Sequence, residues 1–538
     1  MKKFLSLVLA LVMTMSLVTV SAGAKDFADD SKITYKEAVD VMSAAKVIDG
    51  YTDGSFNPTA TLTRGAAAKI ICNLILGPTT ASALVADAAP YKDVPTNHTF
   101  AGYIAYCQKE KIISGYADGT FRPAASLTGY AFMKMLLGAL GYDAEVEQYT
   151  GANWSINVAK RALNIGLDDD LVGEFNGVKA VNREEACLYA FNTLKATMVE
   201  YDKNSTVTVG NITIKDTSSA KEMANTGKTD GNIDKDGKMQ FAEKYFTDLK
   251  EFDSTDDFYR PATQWKIKSE EVGKYTDTAD LTYTKKVESG DIYKDLELSE
   301  KDTADVYING LKGDDVVVSK ANEVKIASDS GNKDKVGTGS TVEVFYDEDH
   351  NDVTICVIDN YVGTVSKTVE AKGNADRYVV IANESDTSIA NYNNEYETEE
   401  TFADDAVVIF TYSASEKEIQ SVAVAESAAG TMTRKEDNKT TGKKVTLADT
   451  AYSVAKNVGY DGFTFDSMTV DSEYTAYLDQ YGNAIYFVEE EFVPEDYAMI
   501  TAIEGNRNDS NFDSNRVKLL TGAGEIKTYD TDKDYKNA

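Results

Sequence analysis

GYTDGSFNP, Gly50 to Pro58, returns almost letter for letter as GYADGTFRP, Gly115 to Pro123. Asp-Gly supplies the positive φ that a tight reversal needs. Phe56 and Phe121 are placed to plug a helix pair, and Pro58 and Pro123 keep the turn from continuing as a helix. The flanks repeat as well. Val39, Met42 and Val47 precede the first turn at helical spacing, as Ile104, Cys107 and Ile112 precede the second. After each turn comes a threonine and a second helix, one with Ala67, Ile70, Ile71 and Leu74 on one face, the other with Phe132, Met135, Leu136 and Ala139. Gly50 is as far from Arg64 as Gly115 is from Gly129.

A third copy is weaker. Asn153–Leu167 reads as a helix with Trp154 near its start, the turn degrades to DDDLVGEFNG, and a helix begins at Asn182 with Leu188, Phe191 and Met198 inward. The unit is helix, glycine-rich turn, capped helix, expected at about 27–78, 90–142 and 150–201. One unit buries too little surface alone, so the three are expected to pack together.

The bulk numbers set limits. With 55 basic and 88 acidic residues the net charge is −33, which argues against nucleic acid as a partner. Lys2 and Lys3, an apolar run from Phe4 to about Val20, and Ala22-Gly23-Ala24 form a secretory signal peptide, expected at 1–24. No other stretch reaches the roughly 18 apolar residues of a spanning helix, so no membrane span is expected after cleavage. Four cysteines in 538 residues do not make a disulfide scaffold; three lie on apolar stripes and read as small buried hydrophobes.

The doubled motif resembles the S-layer homology (SLH) domain, with its GY-x-DG-x-F-x-P turn and T-R-A-E-like helix start. The resemblance covers about Phe27 to Tyr201 and points to an exported surface protein of Gram-positive-type, clostridial-like bacteria. It implies an all-α, three-pronged bundle of three repeats that binds secondary cell-wall polysaccharide, often bearing pyruvate ketals, in grooves between repeats. An arginine on the first turn of a capped helix offers a fork that matches a carboxylate, next to helix N–H groups read as free. Repeat three keeps Asn182-Arg183-Glu184-Glu185, a capping box with its arginine. Repeat one keeps Thr63 and Arg64 without the glutamate; repeat two, Thr128-Gly129-Tyr130-Ala131, lacks both. The carbohydrate-binding set is therefore Arg64, Arg183, Thr63, Asn182 and Glu185, with Arg122 in the second turn as a lesser member, and at most two grooves are expected to work.

Beyond Tyr201 the texture changes. Residues 202–300 read as an acidic mixed α/β region, and Asp256–Tyr275 resembles a segment of clostridial SLH proteins. Asn232, Asp234, Asp236 and Glu243 have the spacing of a calcium loop, although Asn in first place removes a charge; no other cofactor is indicated. His98 and His350 lack ligand-spaced partners, and no nucleophile, zinc or phosphate-loop motif occurs, so no catalytic residue is assigned. From about 301 to 538 the pattern is all-β. Thr341–Val365, Ala406–Met432 and Glu473–Ile500 each read as strand, polar turn, strand, with Tyr346, Tyr412 and Tyr477 in equivalent places. These read as tandem β-modules, the last beginning again at Arg516–Leu520, as in a chain truncated at its C-terminus. The whole reads as a wall-anchored S-layer or surface structural protein, able to self-assemble into a lattice and without enzyme activity. The alternatives are an SLH-anchored enzyme or adhesin acting on glycans.

Overall fold

The computed structural model describes residues 27–201, 206–209, 212–215, 219–285, 287–320, 338–348, 350–372, 376–385, 387–398, 400–438, 442–490, 498–504, 515–521 and 524–531. The signal peptide lies outside the described residues. Two compact units appear, one of residues up to 256 with 260–278, the other of 257–259 with residues from 279 onward.

Among the described residues of the first unit, six helices form three pairs: α1 (Lys36–Ala44) and α2 (Arg64–Ser82), α3 (Ala101–Lys109) and α4 (Gly129–Ala139), α5 (Trp154–Asn164) and α6 (Arg183–Lys195). Each pair brackets a turn. Gly54, Gly119 and Gly173 take φ of 87°, 84° and 91°, so the degraded third turn keeps its left-handed glycine. Phe56 and Phe121 are buried as expected. The three pairs meet at a ring of backbone hydrogen bonds. Leu62 N–H donates to Val181 O (2.9 Å), Val181 N–H to Leu127 O (3.0 Å), and Leu127 N–H to Leu62 O (3.0 Å). All three residues are buried, and each stands just before a helix N-cap. The ring satisfies backbone groups that would otherwise be orphaned in the core.

Residues 219–278 do not form a separate region. Helix α7 (Phe241–Tyr245) and a three-stranded antiparallel sheet (Leu249–Thr255, Pro261–Ile267, Glu270–Thr276) belong to the helical unit. Phe241, Leu249, Trp265 and Val272 share its core. Trp265 packs edge-on against Phe191 (5.3 Å) and donates its indole N–H to Glu37 (2.6 Å). Tyr275 donates to Asp40 (2.9 Å). Acidic residues lie on both faces of this sheet, Glu251 beside Trp265 and Glu271 beside Lys266, so the acidic texture marks no domain boundary.

The second unit is mainly β. Residues 426–489 form a closed five-stranded barrel. Glu426–Asn438 pairs with Gly442–Leu447 over its second half and with Glu473–Leu478 over its first. Gly442–Leu447 pairs with Thr450–Tyr460, Glu473–Leu478 with Ala484–Glu489, and parallel pairing of Thr450–Tyr460 with Ala484–Glu489 closes the ring. The preceding strands repeat the antiparallel pairings. Asp352–Val369 pairs with Tyr378–Asn383 and with Val407–Ser413, Tyr378–Asn383 with Glu395–Glu397, and Val407–Ser413 with Glu418–Val424. Both long strands bulge in the same place, between Val365 and Lys367 and between Met432 and Arg434, just after Gly363 and Gly430. A bulge bends a strand so that it can serve two partners. Tyr346, Tyr412 and Tyr477 each lie in the first arm of a hairpin, as expected. The first two hairpins differ from expectation in sharing one ten-stranded sheet, because Asp352–Val369 runs through both. Arg516–Leu520 lies in a three-stranded sheet with Ala498–Glu504 and Ile526–Thr531.

Candidate anion-binding grooves

Each second helix starts as its sequence dictates. Thr63 Oγ1 accepts from Ala66 N–H (3.3 Å), Thr128 Oγ1 from Ala131 N–H (3.4 Å), and Asn182 Oδ1 from Glu185 N–H (2.8 Å). Glu185 reaches back to the Asn182 N–H (3.0 Å), completing the capping box.

The neighbouring N–H groups are not free. Arg64 and Gly65 donate to the carbonyls of Ala125 and Pro123, Gly129 and Tyr130 to Lys179 and Gly177, and Arg183 and Glu184 to Ala60 and Pro58. The first three N–H groups of α2, α4 and α6 are thus spent on a cap or on the turn of another repeat. This corrects the expectation of free helix N–H groups: attraction for an anion rests on side chains.

Those side chains are stapled to the turns. Arg64 Nε donates to Phe121 O (2.8 Å) and Nη2 to Ser114 O (3.2 Å), with the guanidinium over Phe121 (4.3 Å) and Tyr116 (5.2 Å). Arg183 repeats this on the first turn, donating to Phe56 O (2.9 Å) and Asp49 O (3.0 Å) over Tyr51 and Phe56. A guanidinium has five donors; two serve the turn, and three remain for a ligand. Gly129 holds the third such place, where an added Cβ would lie 3.1 Å from Gly177 Cα. Arg122 is turned to its own loop, 2.9 Å from Asp118 and 4.1 Å over Tyr116.

Arg64 opens onto a groove of about 480 Å³ that also has Ser114, Tyr116, Lys134 and Trp154 on its walls. Lys134 Nζ stands 5.7 Å over the Trp154 ring, and burial pulls its pKa below the ordinary lysine value. Two cations and the rings of Tyr116, Phe121, Tyr149 and Trp154 around one cavity suit an acidic sugar, the rings for stacking and the cations for the acid. Glu185 lines a smaller cavity, about 110 Å³, with Glu174, Lys179 and Tyr189. There Lys179 is paired to Glu185 (3.1 Å), which spends the local positive charge.

Lys134 and Tyr116 were not singled out from the sequence. Tyr116 repeats Tyr51 as second letter of the doubled turn, and that was the available signal. Lys134 lies one helical turn and a half past the cap, and only folding brings it to Trp154. Also missed were Asp29, which accepts from Phe56 and Asn57 N–H (2.7 and 2.8 Å), and Asp93, which accepts from Phe121 and Arg122 N–H (both 2.7 Å). Their sign was Phe27-x-Asp29 matching Tyr91-x-Asp93.

Of the four calcium-spaced residues, Asn232, Asp236 and Glu243 are engaged by protein partners. Glu243 is buried and accepts from Gly231 (3.0 Å), Asn232 (3.2 Å) and Ile233 (3.4 Å) N–H and from Asn225 Nδ2 (2.6 Å). Asn232 Nδ2 donates to Thr247 O (2.9 Å), and Asp236 accepts from Lys238 N–H (2.8 Å) and Gln240 (3.1 Å). Among the described residues no group of three or more His, Cys, Asp or Glu could hold a metal, and no helix is long and apolar enough to cross a membrane.

The S-layer homology domain family matches residues 26–68 and 90–129, the two repeats with the faithful turn. A surface layer protein of Brevibacillus choshinensis is 28% identical over 148 residues, 27% of this chain and 13% of that protein. A cellulosome-anchoring protein of Acetivibrio thermocellus is 34% identical over 106 residues, 20% of this chain and 24% of that protein. An S-layer protein of Bacillus licheniformis is 25% identical over 195 residues, 34% and 22% of the two chains. The chain thus spans about a quarter or less of the length of these relatives. The first two turns, the caps of Thr63 and Thr128, and Leu62 and Leu127 of the ring fall in the matched residues, and the chain is a cell-surface protein that carries S-layer homology domains.

Proposed function

We propose that the helical unit anchors the chain non-covalently to a secondary cell-wall polysaccharide, and that the carboxylate of a pyruvylated sugar sits between Arg64 and Lys134. The observation that carries this reading is the groove itself, where two cations and the rings of Tyr116 and Trp154 surround one cavity. A guanidinium already fixed by Phe121 O and Ser114 O is pre-oriented, so little rotamer entropy is lost on binding. Arg183, held in the same way on the first turn, is a second site of the same kind. The ring of Leu62, Leu127 and Val181 supports a three-pronged arrangement of the repeats. The repeated pairings and bulges of residues 352–489 support tandem β-modules, carried by the anchor as a structural surface layer able to assemble into a lattice.

The test is retention on purified cell walls. The unaltered protein sediments with walls, and Arg64→Ala combined with Lys134→Ala releases most of it to the supernatant. Full retention of the double variant, with its helical signal intact, would remove the groove from the account.

A further inference from the structure

We propose a second site for an acidic saccharide on the outer face of the sheet formed by Leu249–Thr255, Pro261–Ile267 and Glu270–Thr276. Register puts Leu249, Glu251, Trp265 and Ile267 on one face, and Lys250, Phe252, Gln264 and Lys266 on the other. The first face carries Trp265 into the core. The second borders a cavity of about 560 Å³ whose walls include Lys228, Lys250, Phe252, Lys266, Lys268 and Thr229.

In a chain of net charge −33, four lysines around one cavity stand apart from their surroundings. Among the described residues none of the four makes an ion pair, although Lys–carboxylate pairs occur elsewhere in the same unit. Lys250 and Lys266 are direct cross-strand partners, and like charges directly opposite are destabilising. Asp248 also lines the cavity, and Glu271, beside Lys266 in register, accepts from the Gln264 amide (2.6 Å). The hairpin turn adds a second cost. Lys268 and Ser269 take φ of 53° and 76°, a conformation that Asn-Gly adopts more cheaply; Lys-Ser places an ammonium and a hydroxyl on the rim instead.

These costs are offset when an anion bridges the ammonium groups. Phe252, exposed and 5.3 Å from Lys266 Nζ, supplies the flat apolar surface on which a sugar ring stacks. Thr229, Thr247 and Ser269 supply hydroxyls for its polar edge. The shared chemistry is a glycan bearing carboxylate or phosphate groups. Its attraction is local and weakens with salt, because Lys228, Lys250 and Lys268 are exposed and Lys266 is half-buried. This site is distinct from the Arg64 groove and does not rest on it.

The test uses the full chain in an Arg64→Ala/Lys134→Ala background, which silences the groove. Oligogalacturonate supplies the carboxylate probe, a glycerol-phosphate oligomer the phosphate probe, and a neutral dextran oligomer the control, each titrated by calorimetry at low salt. At least one acidic oligomer binds, whichever is tighter naming the acid, and dextran does not. Adding Lys250→Ala, Lys266→Ala and Lys268→Ala weakens that binding at least tenfold and flattens its salt dependence. Without ligand, Lys266→Gln alone raises the melting temperature by relieving the Lys250 repulsion, which keeps the test independent of misfolding. Unchanged affinity in the triple variant, equal binding of dextran, or no binding of either acidic oligomer overturns the proposal.

Discussion

Trp265→Phe tests whether the acidic sheet is part of the helical unit. The ring is buried and touches Phe191, and its N–H meets Glu37 at 2.6 Å. Replacing indole by phenyl opens at most ~40 Å³, which costs ~1 kcal/mol. Losing the hydrogen bond adds ~1 kcal/mol when Glu37 is protonated and ~2 kcal/mol when it is ionised. Burial pushes the Glu37 carboxyl up to about 7, against the pull of the indole N–H and of Lys195. A folded value above the unfolded one gives stability that is present below pH ~4.5 and lost as pH rises through about 7. The substitution therefore costs ~2 kcal/mol at pH 5.5 and ~3 kcal/mol at pH 8.5. Both tryptophans of the chain, Trp154 and Trp265, lie in the helical unit, so urea unfolding followed by tryptophan emission and helical circular dichroism reports on that unit. A cost under ~0.5 kcal/mol at both pH values, the range of an inconsequential surface change, would refute the docking. A larger cost at pH 5.5 than at 8.5 would refute the assigned role of Glu37.

Gly459→Ala places a Cβ against the Glu384 carbonyl, where Asn457 also meets Thr387 (3.1 Å) and Asn360 O (3.3 Å); it lowers the stability of the β unit by ~1–3 kcal/mol in calorimetry, and an unchanged transition would mean that the two sets of strands are not packed as described. Calcium at millimolar concentration leaves the melting temperature unchanged, because Glu243 is already engaged by backbone N–H groups; a rise that chelator reverses would contradict this. Wall retention falls on the alkaline side before an ordinary lysine would titrate, because burial lowers the Lys134 pKa; retention that holds up to pH 11 would exclude a cationic Lys134 from the site.

The doubled turn made the helical repeats legible, since Asp-Gly, a plugging phenylalanine and a capped helix each have a local cause. Even the third turn, which lacks the Asp before its glycine and the closing proline, keeps Gly173 and Phe175 at the places of Gly119 and Phe121. Arg64 and Arg183 were legible as cations on the first turn of a helix. Their grip on Phe121 O and Phe56 O was not, because it joins residues 57 and 127 positions apart. The same holds for Lys134 beside Trp154. The sheet at 249–276 was hidden for a different reason: its charged outer face dominates the composition, while its inner face amounts to a few residues such as Leu249, Trp265 and Val272. In the β half the hairpins were local and readable. The sharing of a sheet through Asp352–Val369 depends on one long bent strand whose bulge follows Gly363, and nothing in hydrophobic alternation marks where such a strand changes partners.

The most direct measurement uses Trp154 as its own reporter. In a Trp265→Phe protein the remaining tryptophan lies on the groove wall, and purified secondary cell-wall polysaccharide is titrated against its emission. A saturable change that disappears when Arg64→Ala and Lys134→Ala are added is the predicted result. No change at any glycan concentration, or the same change in the variant that lacks both cations, would contradict anchoring through this groove.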